Sequence, residues 1–285
     1  MSTRIYLNGS ITGPEEAKIS IFDRGFLYGD SVYEVIRTSH GRLVDLERHL
    51  ARLYKSAAAL ALNPPAESVL RAAIIDTLAA AENSESYVRL VVTRGSGEVG
   101  LDTALATEPT TLVIAKPLVL PTEAMYQNGV AVRLVNVQRT SAKAMDPSVK
   151  SGNYLNNIMA LSEAKRAGAY EAIMCDRDGL LAEGSSSNVF FVEGQRLLTP
   201  NLSVGLLAGI TRQRVLELAE ELGMVVEQGR FGPDRLRDAP EAFLTSSIRG
   251  VLPIAEVDGV ALPAGAPGPL CTQVMKAYAA FLDQA

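Results

Sequence analysis

VYEVIRTSHGRLVDLERHLARLYKSAAALAL, residues 32–62, changes its period halfway along. Val32–Thr38 reads as a strand, His40-Gly41 as a turn, and Arg42–Val44 as the returning strand. Then Leu46, Leu50, Leu53, Ala57 and Leu60 recur at helical spacing, which predicts an amphipathic helix over Asp45–Leu62. Asp45 is the expected N-cap, and Pro64-Pro65 stops the helix.

Reading outward, a second helix runs through about Ala81. Arg4–Leu7 is a short strand before an Asn8-Gly9 turn, and Tyr87–Thr93 and Thr110–Ala115 read as buried strands. Strands, a helix pair and strands again predict an α+β domain over residues 1–116. Residues 117–129 hold two prolines and an Asn-Gly pair with little periodicity, and are expected to link it to a larger domain over residues 130–285. There a strand is expected at Val130–Val135. A loop over Arg139–Gly152 leads into a helix from about Asn153 to Ala167. Short strands follow at Glu171–Cys175, Val189–Val192 and Arg196–Leu198, then a helix at Thr211–Leu222 stopped by Gly223. Strands at Val225–Glu227 and Ala242–Thr245, an Asp258-Gly259 hairpin turn and a helix from about Pro269 to Leu282 complete the chain.

The 285 residues are 47% apolar and 21% charged, ordinary for a globular protein with a large core. A net charge of −5 argues against nucleic acid or an anionic membrane as partner. No apolar stretch is long enough to span a bilayer, and the polar N-terminus has no signal-peptide core. Cys175 and Cys271 are far apart, and with only His40 and His49 beside them no metal site is expected. Free thiols fit a cytoplasmic protein.

Gly95-Ser96-Gly97-Glu98-Val99-Gly100 matches the glycine pattern of dinucleotide-binding loops. That reading needs a helix opening at the third glycine within a βαβ unit. Here Pro109 ends a short stretch before the next strand, so a glycine-rich loop between strands is expected.

The candidate chemistry begins at Lys150, one of seven lysines, in Ser148-Val149-Lys150-Ser151-Gly152-Asn153-Tyr154-Leu155. Four further stretches stand with it: Asp23–Asp30 (DRGFLYGD), His49–Leu53 (HLARL), Ala182–Phe190 (AEGSSSNVF) and Leu207–Arg212 (LAGITR). Phe243–Ser247 (FLTSS) completes the set. In order and spacing these resemble the class IV aminotransferases, the pyridoxal-phosphate enzymes of fold type IV. That family includes branched-chain aminotransferases, D-amino-acid aminotransferases and aminodeoxychorismate lyases. The resemblance runs from about residue 5 to 255. It implies a small N-terminal α/β domain, a larger C-terminal pseudo-barrel domain, pyridoxal 5'-phosphate between them, and a homodimer.

Residue by residue, Lys150 matches the family lysine that holds the cofactor and moves a proton, which requires a neutral amine. Glu183 matches the glutamate that keeps the ring nitrogen protonated; read alone it is a turn carboxylate after Asp178-Gly179. Tyr154 matches the tyrosine beside the phenolic oxygen, and Leu207 the leucine packed on the ring. Arg52 matches the phosphate arginine, though alone it would pass for a solvated helix face. Gly209, Ile210 and Thr211 open a predicted helix whose first N–H groups suit a phosphate. Ser246 and Ser247 add hydroxyl donors.

An amino-acid substrate needs donors for its carboxylate. Tyr28, Tyr87 and Arg89 resemble the pocket tyrosine and the Tyr-x-Arg strand of branched-chain enzymes, and Arg249 is a further candidate. The Gly95–Gly100 loop lacks the histidine of the D-amino-acid enzymes. The resemblance therefore implies transamination between an aliphatic L-amino acid and a 2-oxo acid. A D-amino-acid aminotransferase and a lyase of the aminodeoxychorismate type are the alternatives. A non-catalytic carrier of the cofactor is disfavoured by the intact Lys150, Tyr154 and Glu183 set.

Overall fold

A computed structural model describes residues 2–141 and 143–284. Residues 1 and 285, the outer limits of the two expected domains, and residue 142 of the expected 139–152 loop lie outside the described residues. The chain groups into two compact units. One runs to Val119 and also takes in Val149–Asn153; the other takes Leu120–Ser148 and Tyr154–Gln284.

The first unit contains β1 (Arg4–Leu7), β2 (Ser10–Thr12), α1 (Arg24–Tyr28), β3 (Ser31–Ser39) and β4 (Arg42–Leu43). It continues with α2 (Leu46–Ala59), α3 (Glu67–Ala81), β5 (Ser86–Thr93) and β6 (Thr110–Pro117). The strands form an antiparallel sheet in the order β2-β1-β6-β5-β3-β4. Alternate residues of β3 (Val32, Ile36) and β5 (Val88, Leu90, Val92) meet Leu50, Leu53 and Ala57 of α2 and Leu70 and Ile74 of α3. Each buried leucine in this layer contributes roughly 1.5–3 kcal/mol.

Helix α2 is shorter than its apolar pattern predicts. Asp45 does hold the N-cap position, but its backbone is left-handed (φ 52°) and its side chain makes no capping bond. A capping aspartate needs an extended backbone to aim its oxygen at the first turn. Asp45 instead lies 3.6 Å from Arg48. At the other end Leu60 is the C-cap, and Ala61 turns left-handed (φ 46°).

The Gly95–Gly100 stretch is a loop, followed by a single 3-10 turn at Thr103–Leu105. Its glycines serve close backbone packing. A Cβ on Gly95 would lie 1.8 Å from the Glu108 carbonyl oxygen, and one on Gly97 1.9 Å from that of Leu105. Arg24 closes the loop by donating to the carbonyls of Gly100 (2.7 Å) and Leu101 (3.3 Å).

The second unit opens with α4 (Glu123–Asn128), inside the expected linker, and β7 (Val130–Leu134). Then come α5 (Leu155–Arg166), β8 (Glu171–Cys175), β9 (Leu181–Gly184), β10 (Asn188–Glu193) and β11 (Arg196–Pro200). The rest is α6 (Ile210–Glu221), β12 (Val225–Gly229), α7 (Pro233–Arg237), β13 (Ala242–Ser246), β14 (Gly250–Val257), β15 (Val260–Ala261) and α8 (Pro269–Gln284). The sheet order is β12-β11-β10-β13-β14-β7-β8-β9, with β15 beside β14. It curls, so that β9 also lies against β10 and β11.

Both faces of this sheet are covered. Val189 and Phe191 of β10 enter a core with Leu198, Leu244 and Phe231, while Phe190 and Val192 enter another with Val215 of α6 and Val274 of α8. Burial on both faces is why β10 reads as a continuous apolar run rather than an alternation. Among the described residues, no helix is long and apolar enough to cross a membrane.

Candidate functional site

Lys150 packs with the first unit through its main chain. The Tyr33 N–H donates to the Lys150 carbonyl (3.1 Å), and the Lys150 N–H donates to the Ser56 hydroxyl of α2 (3.1 Å). Ser151 bridges antiparallel to Val32, and the Gly152 N–H donates to the Ser31 carbonyl (2.9 Å). Residues 150–152 are thus an added edge on β3, which fixes where the amine emerges. The Lys150 Nζ lies 4.4 Å from the centre of the Tyr33 ring and donates a long bond, 3.4 Å, to its hydroxyl. The Arg89 guanidinium lies 4.2 Å from the same ring. Strand register accounts for this: Val35 pairs Arg89 and Tyr33 pairs Val91, so Tyr33 and Arg89 share a face. Tyr33 was not among the residues expected from the sequence.

The opposite face of β3 carries Glu34, wholly buried against α2. Its Oε1 accepts from Arg52 Nε (2.7 Å), and its Oε2 accepts from Arg52 Nη2 (2.7 Å) and meets His49 Nδ1 (2.6 Å). Burial alone would raise the Glu34 carboxyl, but Arg52 and His49 hold it down to about 2. Burial, helped by the charges of Arg52 and Lys150, keeps the His49 imidazole below its ordinary range despite Glu34. The stable arrangement is therefore an ionised Glu34 with a neutral His49 donating from Nδ1. Arg52, whose side chain is 12% exposed, is a paired group rather than part of a solvated helix face.

The other two substrate candidates in this unit have separate partners. The Tyr28 hydroxyl accepts from the Gly100 N–H (3.1 Å), and Tyr87 stacks under Lys116 (4.8 Å).

In the second unit, Glu183 lies on β9, a strand missed in the sequence, and not on a turn. It is buried; its Oε1 accepts from Arg139 Nε (2.7 Å), and its Oε2 from the Leu207 N–H (3.1 Å) and Asn188 Nδ2 (3.3 Å). Asn188 also donates to the Leu207 carbonyl (3.1 Å), so Glu183 and the 207–209 turn are held as one piece. Gly209 makes this possible, since a Cβ there would sit 2.0 Å from Asn188 Oδ1. Leu207 itself is half-buried, whereas its neighbour Leu206 belongs to a core cluster. Burial lowers the Arg212 guanidinium to about 10, with Glu183 opposing, so Arg212 remains a cation near neutrality.

Helix α6 begins at Ile210 with Gly209 as N-cap and no side-chain capping bond. Its first N–H groups and positive dipole end suit an anion, and Thr211 lies buried in that first turn. Tyr154 is the N-cap residue of α5 and half-buried. Ser246 ends β13, and Ser247 lies in the turn that follows.

Arg249 is drawn elsewhere. Its Nη1 donates to Glu171 (2.9 Å), its Nε to the Ser246 hydroxyl (3.0 Å), and its Nη2 to the Ser186 carbonyl (3.0 Å) and hydroxyl (2.7 Å). The expected substrate ligand thus has all three guanidinium nitrogens engaged inside its own unit. Glu171, also missed in the sequence, is the hub: it accepts from the Ser185 N–H (3.1 Å) and from the hydroxyls of Ser185 and Ser187. The Ser185-Ser186-Ser187 run serves that buried carboxylate.

Comparison with known proteins bears on this arrangement. The family model for amino-transferase class IV matches residues 31–257. A Methanocaldococcus jannaschii protein, provisionally named a branched-chain-amino-acid aminotransferase, is 37% identical over 257 residues, covering 90% of this chain and 88% of its own. A D-alanine aminotransferase of Bacillus licheniformis is 35% identical over 275 residues, covering 96% and 95%. Among solved structures, the branched-chain amino acid aminotransferase of Escherichia coli superposes with a TM-score of 0.94. Its sequence is 27% identical, and the match covers 99% of this chain and 95% of the other.

Proposed function

The chain belongs to the class IV aminotransferases, and from that premise we propose that it uses pyridoxal phosphate to move an amino group between an aliphatic L-amino acid and a 2-oxo acid. The observation that carries the proposal is the anchoring of Lys150: two bonds of its own main chain and one of Gly152 fix its position, and its amine emerges at the Tyr33 ring, which Arg89 also contacts.

The donor set suits the cofactor. A primary amine, a buried carboxylate paired with Arg139, and a helix start with no side-chain cap match its aldehyde, ring nitrogen and phosphate respectively. When bound, the cofactor supplies an electron sink for the pair left as the substrate Cα–H bond breaks. Lys150 would hold it and carry the proton at Nζ to and from the substrate carbon. Glu183 would keep a proton on the ring nitrogen, as a carboxylate fixed by Arg139 and the Leu207 N–H. Arg52, Thr211, Ser246, Ser247 and the N–H groups after Gly209 would take the phosphate, Leu207 would pack on the ring, and Tyr154 would face its phenolic oxygen. Arg89, with Tyr28 and Tyr87, would orient the substrate carboxylate. Arg249 is omitted because Glu171 holds it.

A D-amino acid as substrate is the second reading, favoured by the 35% identity to a D-alanine aminotransferase. Adding L-leucine, and separately D-alanine, to the cofactor-loaded enzyme distinguishes the two. Loss of the visible cofactor band with L-leucine is expected; loss with D-alanine alone would overturn the L-preference. No band at all after supplying pyridoxal phosphate would overturn the cofactor reading.

The working form is a homodimer in the cytoplasm. Ile19 (48% exposed), Ile21 (68%), Phe22 (50%) and Phe26 (65%) crowd one short stretch of surface, and both cysteines are free thiols. Light scattering that returned a monomeric mass would overturn the dimer.

A further inference from the structure

We propose that Glu34 is a positioning residue for the cofactor phosphate: its buried carboxylate fixes Arg52 in the attitude in which Arg52 meets that phosphate. The proposal rests on the reading that Arg52 is a phosphate ligand.

The placement of Glu34 is the first ground. Val32 and Ile36, its neighbours on the same face of β3, both enter the apolar core against α2. An apolar residue at 34 would continue that layer. Buried ion pairs add little stability over a well-packed apolar replacement. What Glu34 adds is geometry.

The bonding is the second ground. Arg52 Nε and Nη2 meet separate carboxylate oxygens, both at 2.7 Å, which fixes the plane of the guanidinium as well as its location. His49 Nδ1, at 2.6 Å from Oε2, keeps the carboxylate from rotating. His49 and Arg52 are three residues apart on α2 and so share a helix face.

The third ground is adjacency. Tyr33 holds the Lys150 carbonyl, and the next residue, Glu34, holds Arg52. Ser56, four residues beyond Arg52 on α2, holds the Lys150 N–H. The same strand and helix therefore anchor both the amine and the arginine. Their separation is set by rigid elements, as a cofactor gripped at two ends requires.

The test is the ratio of affinities for pyridoxal phosphate and for pyridoxal, which lacks the phosphate. Both are titrated by visible absorbance into the full chain stripped of cofactor. Arg52→Gln is expected to reduce the preference for the phosphorylated form roughly tenfold to a hundredfold, the worth of a hydrogen bond to a charged group. Glu34→Gln is expected to reproduce that loss, with pyridoxal affinity kept and little added loss in the double variant. A residue that only stabilised the fold would weaken both ligands together. If Glu34→Gln leaves no folded protein, Glu34→Asp is read instead; it keeps the charge but withdraws it by one methylene, and the same selective loss is expected. If Arg52→Gln leaves the preference unchanged, the underlying phosphate reading fails, and this proposal with it. If Arg52→Gln removes the preference while the Glu34 variants retain or strengthen it, the positioning role alone is overturned.

Discussion

Replacing Arg249 by methionine tests whether this cation serves the fold or the substrate. The change keeps an extended side chain and removes the charge. In the native protein Arg249 Nη1 lies 2.9 Å from Glu171, whose side chain is 1% exposed, while that of Arg249 is 13% exposed. Breaking a buried pair from one side costs about 3–5 kcal/mol, because the remaining charge is stranded. Glu171 would still accept from the Ser185 N–H (3.1 Å), the Ala172 N–H (2.9 Å) and the Ser187 hydroxyl (3.2 Å), which places the cost at the lower end. At roughly 2.1 cal/mol/K per residue, the 285 residues unfold with about 0.6 kcal/mol/K, so 3 kcal/mol corresponds to a fall in Tm of about 5 °C for concerted melting. Thermal melts of the wild type, Arg249→Met, Glu171→Gln and the double variant measure this directly. The double variant is expected to melt above the sum of the two single losses, since both partners are then gone. KM for the amino donor should change by less than about threefold. An unchanged Tm together with a KM raised about tenfold or more would refute the reasoning and return Arg249 to the substrate.

Three further outcomes follow from the same geometry. Glu34 is depressed from 4.5 to about 2 in the fold, so its stabilisation, up to about 3 kcal/mol, is complete above pH 4.5 and is lost as pH falls toward 2. The Tm gap between wild type and Glu34→Gln should narrow over that window, and a constant gap would contradict the pairing. Gly95→Ala places a Cβ against the Glu108 carbonyl at φ 96°; a loss of roughly 2–4 kcal/mol in urea unfolding is expected, and a neutral result would show the loop is not packed there. Arg139→Gln removes the charged donor to buried Glu183 and should lower the Tm of the cofactor-free chain by an amount equivalent to about 2–3 kcal/mol; no change would mean the pair is solvated.

Local patterns were the legible part of this protein. The apolar spacing of Leu46 to Ala57 announces α2, and the strands Tyr87–Thr93 and Thr110–Ala115 fall within a residue or two of β5 and β6. Ends of elements were harder, because Asp45 and Ala61 adopt left-handed backbones that no apolar period encodes. Strand β9 escaped notice: it spans four residues, is buried throughout and includes a glutamate, so it shows no alternation. Helix α4 was hidden by the Asn-Gly pair at its end. In the candidate site, Lys150, Arg52 and Glu183 stand in recognisable stretches. Their partners do not. Tyr33, Glu34, Arg139 and Glu171 acquire meaning only through contacts with residues 117, 18, 44 and 78 positions away, and such pairings leave no local mark.

The stretch Val149–Asn153 has a consequence for protein engineering. Because these residues pack with the first unit while both flanks belong to the second, the polypeptide passes between the units at 119/120, 148/149 and 153/154. No single cut in the gene yields two intact modules. A fragment ending at Val119 would leave Val32, Tyr33 and Ser56 without the backbone they grip, and would lack Lys150. Grafting the first unit of one relative onto the second unit of another therefore requires two exchanges, the long N-terminal piece and the Lys150-bearing insert, made together.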